Sequence, residues 1–99
     1  MHRIEYQIRQ LSGGLMKTGN HPARKRVRSR MIAIMIDIAR YEHITDIRQL
    51  GRAHIHRYWS RTTDLSPATL RDHYYAIEKV WQNLLRRTSL PPKPKANSK

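Results

Sequence analysis

From Ser66 to Arg87 apolar residues return at three- and four-residue steps, a period that suits a helix and rules out a strand. Leu70, Tyr74, Ile77, Trp81, Leu84 and Leu85 make the dry stripe of that helix. Its start is written in Leu65-Ser66-Pro67-Ala68-Thr69-Leu70. Ser66 can cap the free backbone N–H groups, and Pro67 fits the first position, where an N–H has no helical partner to lose. The spacing predicts a helix over 67–87. Ile4, Ile8, Leu11 and Leu15 predict another over 2–12, stopped by Gly13-Gly14, because glycine accepts the left-handed conformation of a helix end. Val27, Met31, Ile34, Met35 and Ile38 predict a third over 22–42, with Pro22 in its first turn and Asn20 or His21 as its cap. Ile32 and Ile36 widen that stripe, so this helix is either central to the core or apolar on a flank that meets another surface. Residues 45–51 are turn-rich and lead into a helix over 52–62, whose buried side is Ile55, Tyr58 and Trp59.

No strand-like alternation and no repeat occurs, so the expected fold is an all-α bundle of four elements over residues 1–89. Leu90-Pro91-Pro92-Lys93-Pro94-Lys95 cannot continue a helix, and 90–99 reads as an extended, flexible basic tail or linker. At 99 residues the chain is one domain with a modest core. Without cysteine it has neither a disulfide nor a thiolate metal site, which suits a reducing cytoplasm. The longest apolar run, Met31 to Ile36, is too short to cross a bilayer. Met1-His2-Arg3-Ile4-Glu5 is not followed by the apolar stretch of a signal peptide. A soluble cytoplasmic protein is expected, with no membrane partner.

The formal charge of +13 sets the function class. A compact fold does not need such an excess, and self-repulsion works against it. Residues 1–30 carry eight Lys/Arg against one acid and residues 67–99 seven against two, while the middle is nearly balanced at five against four. Two basic flanks around a neutral centre look like two arms of one footprint on a polyanion. On the 67–87 wheel Arg71, Tyr75, Lys79, Gln82 and Arg86 gather opposite the dry stripe. Cations neutralise phosphates there, while Gln, Arg and Tyr also reach base edges. Arg24, Lys25, Arg26, Arg28 and Arg30 crowd the start of the 22–42 helix, whose end already carries partial positive charge. Each cation there is unfavourable by roughly 0.3–1 kcal/mol, a cost that nearby phosphates offset.

Catalytic motifs are weak. His54-Ile55-His56-Arg57 contains a His-x-x-Arg string, but six histidines among many arginines produce such a match by chance. His54 and His56 lie on different faces of a helix, and no carboxylate completes a metal spacing, so no metal and no cofactor are expected. Tyr74 belongs to the dry stripe and Tyr75 to the basic one, while Trp59 and Trp81 read as core. The seven acids are scattered singly, with no Gly-rich phosphate loop, no Ser/His/Asp set and no small-molecule site in view.

Ile44-Thr45-Asp46-Ile47 with Leu50, then His54-Ile55 and Tyr58-Trp59, then Leu65-Ser66-Pro67-Ala68-Thr69-Leu70, resembles the N-terminal core-binding domain of tyrosine recombinases. It looks most like the SAM-like domain of phage integrases, over about residues 4–90. Asp64 stands where that family commonly has glycine. The resemblance implies a four-helix SAM-like bundle that forms half of a clamp on double-stranded DNA during integration or recombination, in a protein of bacterial, phage or mobile-element origin. It implies that the Thr69–Arg86 face and the Arg24–Arg30 cluster lie against DNA. The family's chemistry belongs to a separate C-terminal domain with an arginine-rich pocket and a nucleophilic tyrosine, which residues 1–99 do not contain, so the chain is expected to be noncatalytic. It is then a piece of an integrase or an independent DNA-gripping protein, with a recombinase catalytic domain or a second copy as further partners. A helical protein-interaction module using the Met31–Ile36 stripe, and an RNA-binding accessory protein, are the alternatives.

Overall fold

The computed structural model describes the backbone of residues 1–13 and 22–94, and the side chains of 1–13 and 25–94. Among these residues there are four α-helices and no strand: α1 (Arg3–Ser12), α2 (Pro22–Glu42), α3 (Arg52–Arg61) and α4 (Pro67–Glu78). A 3-10 turn, Ile47–Gln49, leads into α3, and α4 runs on into a π-helical turn, Lys79–Leu84. The all-helical expectation holds. None of the described helices is long and apolar enough to cross a membrane.

α2 is the central element, with α1, α3 and α4 each packed against it. A helix with that many neighbours needs a wide apolar stripe, which explains Ile32 and Ile36. Met31, Ile32, Ile34, Met35 and Ile38 are buried, and Ile36 packs half-buried on the same core. Ile4 and Ile8 enter from α1, Ile55, Tyr58 and Trp59 from α3, and Ile77 from α4. Packing within the chain takes up most of that breadth and leaves Ile36 half-buried.

The helix ends follow local chemistry. The His2 ring Nδ1 accepts the Ile4 N–H at the start of α1. Gly13 at its other end keeps a right-handed φ of −54°, so the left-handed stop expected of Gly13-Gly14 is not at Gly13. Gly14, Leu15 and the Asn20/His21 cap lie outside the described residues. α2 stops at His43, whose φ of 60° reverses the chain so that Ile44 N–H reaches the Ala39 carbonyl at 3.1 Å. Asp46 caps the 3-10 turn through the Arg48 N–H, and Gln7 of α1 accepts the Ile47 N–H at 2.7 Å, tying that turn to the first helix. Ser66 accepts the Thr69 N–H, with Pro67 in the first turn of α4.

Two expectations are corrected. The single helix over 67–87 becomes π-helical at Lys79 and ends at Leu84. Leu85 N–H reaches back five residues to Val80, Arg87 N–H six to Trp81, and Arg86 takes a φ of 60°. The wider turn buries Val80, Trp81 and Leu84 together where α1 packs against it. The second correction concerns the tail. Residues 90–94 form a strap on α3 and α4, with Pro91 and Pro92 buried. The Trp59 indole donates to the Pro92 carbonyl at 2.9 Å, Tyr74 donates to Pro91 at 3.5 Å, and Arg52 donates to Leu90 at 2.9 Å. Residues 95–99 lie outside the described part.

Candidate nucleic-acid interface

All seven carboxylate side chains belong to described residues, so the distribution of their partners can be read directly. Glu5 pairs with Arg9 at 2.9 Å, Asp37 with Arg61 at 2.8 Å, and Asp46 with Arg3 and Arg48 at 3.4 and 3.6 Å. Glu42 receives two hydrogen bonds from Arg57, both at 2.8 Å, which hold its carboxyl below the usual range. The Arg48 N–H does the same for Asp46. Aromatic rings hold further guanidinium groups, including that of the already paired Arg61. Arg61 lies 4.0 Å from the centre of the Tyr41 ring, and Arg87 and Arg52 lie 4.2 and 5.7 Å from that of Trp81. These cations serve the fold.

The residues picked from the sequence behave differently. Lys25, Arg26, Arg28, Arg30, Arg71, Lys79 and Arg86 make no ion pair among the described residues. Arg24 lies in α2, but its side chain is outside the described part. Lys25 and Arg26 are exposed, while Arg28 and Arg30 are half-buried. At about 100° per residue these four spread around the helix rather than lining one face. Arg30 turns toward α4, where its charge, after burial, helps push the His73 imidazole below its usual range. His73 Nδ1 sits 2.8 Å from the Tyr58 hydroxyl, whose own pKa burial and then Asp37 push up to about 12. That contact is a neutral, structural pair.

Arg71 and Tyr75 on α4 and Lys79 at the start of the π turn succeed one another at single turns on the side opposite Ile77. Arg71 and Tyr75 are exposed, and Lys79 Nζ lies 5.2 Å from the centre of the Tyr75 ring. The other members of the expected face are placed differently. Thr69 is engaged in the cap, its hydroxyl accepting from Ser66 at 2.9 Å. Gln82, inside the π turn, gives its amide to the Ser89 carbonyl at 3.2 Å. Arg86 lies beyond the helix end, exposed. The row projected by an unbroken α wheel is therefore shorter, because the π turn changes the register after Lys79.

Two cations were missed. The strap carries Lys93 beside Arg71 and Tyr75, where together with Tyr74, Glu78 and Pro94 they line a shallow depression of about 360 Å³. Helical periodicity says nothing about a proline segment; the one available signal was an indole N–H on α3 that needs an acceptor when buried. Arg40, exposed and without an ion pair among the described residues, lies on the same side of α2 as Arg26, about 20 Å along its axis. Seven-residue spacing through Ala33 was its signal. The His54…Arg57 string has structural employment: His54 Nδ1 accepts the Gly51 N–H at 3.0 Å, and Arg57 holds Glu42. Among the described residues no three His, Asp or Glu side chains group closely enough to hold a metal ion. The chain matches no protein-family model, no curated protein and no solved structure.

Proposed function

We propose that this chain is a noncatalytic binder of double-stranded DNA, built on the plan of the SAM-like core-binding half of a tyrosine recombinase. One observation carries the reading: the segregation of charge. Four of the seven acids are committed to Arg3, Arg9, Arg48, Arg57 and Arg61, whereas Lys25, Arg26, Arg28 and Arg30 of α2 and the row Arg71–Lys79 keep cations without an ion pair among the described residues. Such cations repel one another and have no carboxylate to answer them, so phosphates are their natural counterions. The two sets sit on adjoining helices, with Arg30 of α2 close enough to α4 for its charge to act on His73. That arrangement suits contact with a duplex at two places: phosphate contacts from Lys25, Arg26, Arg28 and Arg30, and groove contacts from Arg71, Tyr75 and Lys79. The capped start Ser66-Pro67-Ala68-Thr69 supports the family likeness, and a bacterial or mobile-element protein acting in the cytoplasm is the setting it favours.

The test is fluorescence anisotropy on a mixed-sequence duplex of about 25 base pairs. Lys25→Glu with Arg26→Glu, both exposed and outside the core, should weaken binding to every sequence and flatten the salt dependence by about two in log–log slope. Unchanged affinity in that double variant would remove α2 from the interface. Structured RNA competing better than duplex DNA would move the protein to the RNA-binding class.

A further inference from the structure

We infer that the depression between α4 and the strap is a site for a single unpaired nucleotide, so that the protein favours DNA with a single-stranded overhang over a blunt duplex. The inference rests on the DNA-binding reading above and sharpens it. Its lining has the three chemistries of a nucleotide. Arg71 and Lys93 both line it, neither in an ion pair among the described residues, as cations for a phosphate. Tyr74, Tyr75 and Pro94 supply flat or rigid apolar walls, and most of the exposed lining is apolar. Glu78 contributes a carboxylate that pairs with no cation among the described residues, and a carboxylate accepts from the N–H groups of a base edge.

The wall is held in shape before any ligand arrives. Arg71, Tyr74, Tyr75 and Glu78 are three and four residues apart on one helix, so their relative positions are fixed by α4 itself. Lys93 and Pro94 are fixed by the strap, whose Pro92 carbonyl takes the Trp59 indole proton at 2.9 Å. Tyr74 turns its hydroxyl to Pro91, away from any role as a hydrogen-bonding reader, and leaves its ring as wall. Lys79 sits against Tyr75 at 5.2 Å from the ring centre, and Tyr75 is 46% exposed, enough surface for a base to stack. A base inside a duplex offers only its edge to the outside; stacking on Tyr75 requires one that has left the helix.

Three fluorescent duplexes of one sequence test this by anisotropy: blunt, with a three-thymidine overhang, and with the same overhang made abasic so that the phosphates remain. The base-bearing overhang should bind about tenfold tighter than the abasic one, the range expected for one stacked base. Tyr75→Ala should bring that ratio to about one, and Tyr75→Phe should keep it. Equal affinity of the two overhangs in the unaltered protein, or a ratio insensitive to Tyr75→Ala, overturns the nucleotide site while leaving duplex binding in place. A base-dependent gain without measurable binding to the blunt duplex supports the site and overturns the duplex reading. Failure to bind all three probes overturns both.

Discussion

Trp59→Phe is the most informative test of how the fold is closed, because one side chain joins the core to the strap. Trp59 is 7% exposed, and its indole N–H donates to the Pro92 carbonyl at 2.9 Å. Phenylalanine keeps a ring in the core but removes that proton. The lost hydrogen bond is worth about 1 kcal/mol, and a buried carbonyl left without a donor adds about 1 kcal/mol or more. A total near 2 kcal/mol corresponds to a fall in melting temperature of about 10 °C for a domain of this size. Thermal unfolding followed by circular dichroism reads it. A chain ending at Ser89 provides the control, since it has no strap to lose. In that background the same substitution should cost clearly less, and the difference is the coupling between Trp59 and the strap. Equal costs in the two backgrounds would mean that Trp59 acts only as core and that residues 90–94 do not dock in solution.

Two further outcomes follow from the same geometry. Arg86 carries a left-handed φ of 60° that glycine adopts without strain, so Arg86→Gly should raise stability by about 0.5–1 kcal/mol. Urea unfolding checks the sign; loss of stability would contradict the backbone assignment. His73 is held below its ordinary value by burial and then by Arg30, so the unfolded chain takes up the proton first. Stability should therefore be full above about pH 6.5 and decline as the pH falls through the lowered folded value. His73→Asn should show a smaller decline between pH 7 and 5, and identical declines would remove His73 from the account.

The sequence made the helices legible because burial here repeats at 3.6 residues, and Ser66-Pro67 marked a boundary through chemistry that acts within one turn. α2 was read to both of its ends, Pro22 and Glu42, for the same reason. What periodicity could not show was a change of period. The π turn at Lys79 arises from packing between Val80, Trp81, Leu84 and α1, a long-range contact, and it displaced Gln82 and Arg86 from the row drawn on an ideal wheel. The strap was hidden for a related reason: Pro91 and Pro92 exclude a helix but carry no signal of where an extended segment lands. Charge was legible as an amount and only partly as a pattern. That Arg57 and Arg61 are committed to Glu42 and Asp37 depends on α3 crossing the end of α2, which is tertiary information.

The direct measurement is the salt dependence of duplex affinity for the unaltered protein, from about 50 to 300 mM salt. If the unpaired arginines and lysines of α2 and α4 meet about five to eight phosphates, log K should fall against log salt with a slope between about −4 and −7. A slope near zero, or no binding at the lowest salt, would mean that those cations serve something other than DNA.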